Sequence, residues 1–332
     1  MKKILFLFLL LSFTLLAQKF DFSGYGSAGI KFFDRNRLNG ANQETYYEGK
    51  FQVEINLKKG FEAQLDFRGN NIDKSVELRE FSVKYKSDSW YNIKFGNIKQ
   101  PFGYEYLINR EKLWAIDRSI VQEKISEIGY GTRSISLMIY HEFDDKKPGA
   151  PYSYYLSLFK NNSSTSGFVG RISYHFNQEL ALSFNYMFQA LGGDVPAKVS
   201  GFASDIAYRS KKFDANIEII YAGDPVEKRI RKLAGKENSV YAFGVKTLLA
   251  RKFKTGDDFL EDIEPVIVAG YFQPENDQSQ NHIIQGVIGS NFYFDDDIRM
   301  RLNADMRFSK TEYTDDYSTK ESRLVLEMQV KF

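Results

Sequence analysis

The stretch Arg323-Leu324-Val325-Leu326-Glu327-Met328-Gln329-Val330-Lys331-Phe332 decides the fold. Leu324, Leu326, Met328, Val330 and Phe332 fall on one face of an extended chain. Arg323, Glu327, Gln329 and Lys331 fall on the other, with Val325 the one apolar exception. Side chains alternate across a strand with period two, so one face is oily and the other polar. Ten residues at about 3.3 Å each, tilted by about 45°, cross the hydrocarbon layer of an outer membrane. A soluble sandwich strand shows the same alternation, so the reading depends on whether the pattern recurs.

It recurs along the chain. Phe22, Gly24, Gly26, Ala28, Ile30 and Phe32 share a face. Tyr47, Gly49, Phe51, Val53, Ile55 and Leu57 oppose Glu48, Lys50, Gln52, Glu54 and Asn56. After a Lys59-Gly60 turn, Phe61, Ala63, Leu65 and Phe67 alternate with Glu62, Gln64, Asp66 and Arg68. Ile298, Met300, Leu302, Ala304, Met306 and Phe308 oppose Arg299, Arg301, Asn303, Asp305 and Arg307. In a soluble protein the charged face would be the outside; in a membrane barrel it lines a water-filled lumen. Further strands fall near 76–86, 90–96, 133–142, 152–159, 168–176, 179–188, 200–209, 213–221, 239–248, 263–272 and 282–294. The total is about sixteen, an even number as in single-chain bacterial barrels. The strand near 263–272 is the least regular, because Pro265 cannot donate to a ladder.

Link lengths test this independently. Short links at 58–60, 86–89, 177–178, 210–212 and 295–297 alternate with longer polar ones at 33–44, 97–132, 189–199, 222–238, 273–281 and 309–322. Short periplasmic turns and longer external loops predict that order, and only the links near 144–151 and 249–262 depart from it. The expected fold is all-β: a transmembrane antiparallel barrel of about sixteen strands, with a soluble β-sandwich array as its rival.

The bulk numbers agree. Aromatic content is 16%, with 29 Phe and 21 Tyr, against a mean hydropathy of −0.41. That combination suits a barrel, whose apolar signal per strand is weak and whose rims carry aromatics. No cysteine is present, which excludes a disulfide framework and thiolate metal sites. Met1-Lys2-Lys3 followed by the apolar run Ile4–Leu16 and Ala17-Gln18 reads as a secretory signal over residues 1–17, with one domain over 18–332. Without Lys2 and Lys3 the chain holds 43 basic and 43 acidic residues, so it carries no nucleic-acid footprint.

The segment Gly96-Asn97-Ile98-Lys99-Gln100-Pro101-Phe102-Gly103-Tyr104-Glu105 resembles the G-x-x-K-x-P-F-G-x-E stretch of the phosphate-selective porin family, types O and P. Asp117-Arg118-Ser119-Ile120 is similar to that family's acidic-Arg-Ser-aliphatic motif, and Asn161-Asn162 stands where the family has Asn-Gly. Gly170-Arg171-Ile172-Ser173-Tyr174 resembles its A-x-R-x-x-Y. With the leader and a last residue, Phe332, like the aromatic that the barrel assembly machinery reads, the likeness spans the mature chain. It implies an outer-membrane channel for small anions such as phosphate, embedded in outer-membrane lipid and trimeric.

The link from Asn97 to Thr132 has the properties of a constriction loop. It is the longest in the chain, and loops of that length are usually functional or disordered. It carries Phe102, Tyr106, Leu113, Trp114, Ile116, Ile120 and Ile125, enough apolar mass to pack on a wall, and Pro101 with Gly103 stiffens its start. Anion filters use Arg and Lys, because a partly desolvated anion needs fixed charge and donors. Lys99, Arg110, Arg118 and Arg133 are therefore the constriction candidates. Each has the competing role of a salt bridge pinning loop to wall, and Asp117 adjoins Arg118. Arg171, Lys246, Arg299, Arg301, Arg307 and Arg323 are expected on the lumen face, where acidic neighbours make a mixed ladder that holds the wall open.

No catalytic or metal constellation is expected: His141, His175 and His282 lack metal-ligand spacing, and no cofactor is implied. The rivals to an anion channel are a non-selective diffusion porin, a plugged barrel acting as adhesin or structural protein, and an outer-membrane enzyme. The last would need a Ser/His pair near one interface. The register also predicts that Leu302→Arg costs roughly 2–4 kcal/mol in lipid, whereas Asn303→Arg meets water.

Overall fold

The computed structural model describes residues 19–34, 42–72, 74–87, 90–143, 151–161, 164–236, 239–275, 281–309 and 321–332; the leader and Asn162 lie outside them. The strands are β1 (Lys19–Phe33), β2 (Gln43–Asn56), β3 (Phe61–Asn70), β4 (Ser75–Lys86), β5 (Asn92–Lys99), β6 (Arg133–His141), β7 (Tyr152–Lys160), β8 (Thr165–His175) and β9 (Leu180–Leu191). Then come β10 (Ala197–Arg209), β11 (Phe213–Gly223), β12 (Tyr241–Arg251), β13 (Phe253–Lys254), β14 (Asp262–Gln273), β15 (Ile283–Tyr293), β16 (Ile298–Ser309) and β17 (Arg323–Lys331). β13 is a two-residue extension; the other sixteen strands form one closed antiparallel barrel. Each strand pairs with its sequence neighbours and β17 returns to β1, so no ladder edge is left unpaired.

The alternation holds residue by residue. On β16, Arg299, Arg301, Asn303, Asp305 and Arg307 point inward and are buried, while Leu302, Met306 and Phe308 are exposed outside. A surface of exposed Leu, Ile, Phe and Met around a charged interior inverts a soluble protein and fits a lipid environment. Paired rings mark both rims of the wall. Phe61–Tyr85 (5.0 Å between centroids) and Tyr208–Phe213 (6.0 Å) lie at one end, Tyr221–Tyr241 (4.8 Å) and Phe168–Phe188 (5.9 Å) at the other.

Pro265 sits inside β14 without breaking it. On one side β12 pairs with β14 from Val266 onward, and β13 pairs only with Asp262 and Ile263. The missing N–H of Pro265 therefore falls in a gap between two ladders. Of the two expected departures in link length, residues 252–261, which include β13, separate β12 from β14 at the same end as the short turns, and the link near 144–151 lies, but for residue 151, outside the described residues. A nine-residue helix, Pro225–Leu233, occupies the long link between β11 and β12.

The seam between first and last strands is closed by Phe332. Its N–H donates to the Gly24 carbonyl (3.2 Å) and its own carbonyl accepts from Gly24 N–H (3.0 Å). A side chain on Gly24 would meet the Phe332 ring at 2.5 Å, so this glycine makes room for the seam aromatic. Phe332→Asp puts a charge at that junction and should lower the yield of heat-modifiable barrel on gels, without changing the conductance of channels that do fold.

Candidate pore constriction

Residues 100–132 leave the wall between β5 and β6 and turn inward. The neck is held by Gln100 N–H donating to the Thr132 carbonyl (2.9 Å), and the buried Gln100 side chain bonds to Ser136 (2.5 Å) and Ser157 (3.2 Å). Gly103 follows with φ +80, and any Cβ there would lie 2.9 Å from Glu218 Oε1. Its absence lets Tyr104 N–H donate to that carboxylate (2.6 Å), which starts the short helix α1 (Tyr104–Leu107). Ser119 caps α2 (Ile120–Glu127) by accepting from Gln122 N–H, and its own N–H donates to Glu105 (2.9 Å). The segments that carry the family resemblance are thus largely the ones that fold the loop.

The loop is seated on one half of the interior. Phe102, Ile120, Val121, Ile125 and Tyr130 pack against inward residues of β7–β15, among them Val169, Met187, Ile220, Ala242 and Phe272. Leu113 and Trp114 pack on Leu248, Val266, Val268 and Val287. Each such burial is worth about 1.5–3 kcal/mol.

Buried bases then fix the seat. Arg301 donates to Glu327 through Nε (3.0 Å) and to the loop carbonyls of Leu113 (3.2 Å) and Ala115 (3.3 Å). Arg299 donates to the Glu111 carbonyl (2.8 Å), and Lys246 lies 3.4 Å from both Glu105 and Glu218. Arg307 pairs with Glu123 (3.1 Å), and Arg171 with Asp205 (2.8 Å) inside the wall. These five face inward as the alternation requires, but they meet protein rather than water. The same holds for Asn303, whose side-chain oxygen accepts from Ile116 N–H (2.7 Å). This corrects the expectation for the adjacent pair: Leu302→Arg should reduce folded barrel, and Asn303→Arg, instead of being silent, should yield folded barrel with a displaced loop. Heat-modifiability and single-channel noise separate the two.

The opposite edge of the loop is tied to β1, β2 and β17 by ions. Arg110 reaches Glu48 (2.8 Å) and Asp117 (3.3 Å), and Lys50 reaches Glu111 (3.3 Å). Asp117 gathers Lys31 (3.3 Å) and Arg323 (3.2 Å), so Arg118 is not its partner. Burial alone would push the Asp117 carboxyl up; Arg323, Lys31 and Arg110 outweigh it and hold the carboxyl below the ordinary carboxylate range. A carboxyl depressed on folding contributes stability above its unfolded pKa, lost only as pH falls through the lower folded value. At pH about 4, near the ordinary carboxylate pKa, the tether should persist, and channel noise should match that at neutral pH.

Between the loop and the wall made by β17, β1 and β2–β6 lies a cavity of about 690 Å³ with an adjoining lobe of about 330 Å³. Arg118 lines it, donating to the carbonyls of Glu105 and Ile108 (2.7 Å) with its guanidinium 5.5 Å from the Tyr106 ring. Lys99 approaches the same ring (5.7 Å) and donates to Asn109 Oδ1 (2.8 Å). Arg133 lines the cavity 3.6 Å from Glu80. Of the four constriction candidates, Lys99, Arg118 and Arg133 converge near Tyr106 and Arg110 belongs to the tether. Of the lumen candidates, Arg323 lines this cavity. Arg79 of β4 also lines both lobes. Charged residues around the main lobe are six bases (Lys31, Arg79, Arg110, Arg118, Arg133, Arg323) against four acids (Glu77, Asp117, Glu123, Glu127).

A Ser/His pair does occur: Ser153 Oγ lies 3.0 Å from His175 Nε2, with Phe143 stacked on the imidazole at 4.3 Å. Among the described residues no carboxylate pairs with His175, so the pair lacks the acid that orients a catalytic imidazole.

No protein-family model matches the chain, and no curated protein does. Solved structures match over nearly its whole length. The anion-selective porin from Comamonas acidovorans aligns with TM-score 0.66 at 9% identity, covering 95% of this chain and 100% of that one. The outer membrane channel DcaP of Acinetobacter baumannii aligns with TM-score 0.64 at 11% identity, covering 96% and 99%. OmpT of Vibrio cholerae, solved in a trimer form, aligns with TM-score 0.63 at 12% identity, covering 95% and 100%. At these identities the likeness is one of fold: this chain has the fold of porins.

Proposed function

We propose that this protein is an outer-membrane porin that passes small anions such as phosphate by diffusion, through the space between its inward loop and the wall made by β17, β1 and β2–β6. The observation that carries the reading is the set of bases without a full carboxylate partner beside Tyr106. Asp117, Glu123 and Glu127 are each engaged by bases, whereas Lys99 and Arg118 donate to neutral oxygens. A charge satisfied by neutral partners keeps its field, and a low-dielectric wall extends that field into the passage. The named neighbours, porins and channels, support the non-enzymatic part of this reading. A homotrimer, handling by the barrel assembly machinery and removal of residues 1–17 complete the proposal; the trimer form of one neighbour supports the first.

Liposome swelling tests it. Proteoliposomes should admit a small organic anion faster than a neutral solute of equal size, and an equal-sized cation more slowly. Equal rates for all three favour a non-selective diffusion porin, and no swelling favours a plugged structural barrel.

A further inference from the structure

β3 and β4 pair regularly from Phe61↔Tyr85 to Asp66↔Glu80, then skip: Phe67 faces Leu78, and Arg79 has no opposite number. Arg79 is thus the extra residue of a β-bulge, a device that re-aims a side chain at the expense of one ladder position. Strict alternation would set Arg79 in the outward row with Phe81, beside lipid. With the bulge, Val76, Leu78 and Phe81 are exposed outside, Glu80 and Ser82 are buried inside, and Arg79 borders both lobes of the cavity. Its carbonyl accepts from the Asn97 side chain (2.8 Å), which ties the bulge to β5. Among the described residues its guanidinium makes no ion pair.

We propose, resting on the anion-channel reading above, that Arg79 is the specificity-determining residue of the passage. With Arg118 and Arg133 it holds a carboxylate or phosphate oxyanion transiently beside Tyr106. A guanidinium presents a planar fork that two oxygens of one oxyanion engage together, whereas chloride gains only single contacts. Oxyanions therefore dwell longer than halide. Glu77 borders the same two lobes and is exposed, and its charge keeps the dwell short enough for release, which conduction requires.

The experiment is single-channel recording of chloride current with millimolar acetate or inorganic phosphate added. In wild type either anion should reduce the chloride current, and their relative potency says whether carboxylate or phosphate fits better. Arg79→Gln should weaken that block several-fold and lower the anion-to-cation permeability ratio. Arg79→Lys should keep the chloride preference and lose most of the block. Deleting Arg79 removes the bulge while leaving every other residue on its face, so the deletion should fold and behave like Arg79→Gln. Wild-type block in a folded Arg79→Gln channel that still prefers anions overturns this assignment alone. A wild type with no anion preference overturns the channel reading as well.

Discussion

Replacing residues 104–127 with a short glycine–serine linker should raise single-channel conductance several-fold and remove most ion preference. In the proposed channel it is the loop, not the wall, that limits the passage. It covers β7–β15 with apolar side chains and reaches β2 and β17 through Ile116, which packs between Tyr46 and Val325. Removing it should not open the barrel, because all sixteen wall strands are held by their own ladders and by the β1–β17 seam. The cost is a wetted patch of Val169, Met187, Ile220, Val266 and Val268. The variant should therefore unfold at a lower temperature while still running as folded barrel on unheated gels. Conductance close to that of the intact protein would mean that the passage is limited elsewhere.

The second large effect is expected from Arg301→Met. Arg301 and Glu327 are both fully buried, so neither charge has water to fall back on. Loss of the guanidinium leaves Glu327 with the Tyr46 hydroxyl (2.8 Å) as its remaining donor, and removes two tethers on the loop at Leu113 and Ala115. Breaking one side of a buried pair costs about 3–5 kcal/mol. Thermal unfolding should shift down accordingly, and the open channel should flicker as the loop loosens. Adding Glu327→Gln removes the stranded charge and should restore most of the thermal stability but not the quiet current, because the carbonyl tethers stay lost.

The barrel was legible because lipid and water on opposite sides of a thin wall impose a period of two, which survives in almost every strand. The loop's seat was less legible. Val266-Ile267-Val268-Ala269 in β14 is apolar on both faces, so alternation says only that a strand is there. Such double-faced runs mark strands covered on both sides; here the loop covers the inner face, and the proposed membrane would cover the outer one. Read that way, β14 would have located the seat. Lys246, Arg299 and Arg301 face inward but meet the loop, because a pattern in one strand gives a direction, not what lies in that direction.

Arg79 shows the converse. The apolar positions of β4 run Val76, Leu78 and then Phe81, Val83, Tyr85, slipping from even to odd across Arg79-Glu80. That phase break is the bulge, written in the sequence as a change of parity. Arg118 lines the cavity, but not through a pairing with its sequence neighbour Asp117. Adjacent residues point apart, and Asp117 finds Lys31, Arg110 and Arg323 instead.

The central claim is that the passage carries uncompensated positive charge. Its most direct test is the reversal potential of purified protein in a planar bilayer under a potassium chloride gradient. With dilute salt near 0.1 M, where screening is about 10 Å, the potential should lie toward the chloride equilibrium value. The double variant Arg79→Gln/Arg118→Gln should move it toward zero. A potential on the potassium side, or one that the folded double variant leaves unchanged, would contradict the claim.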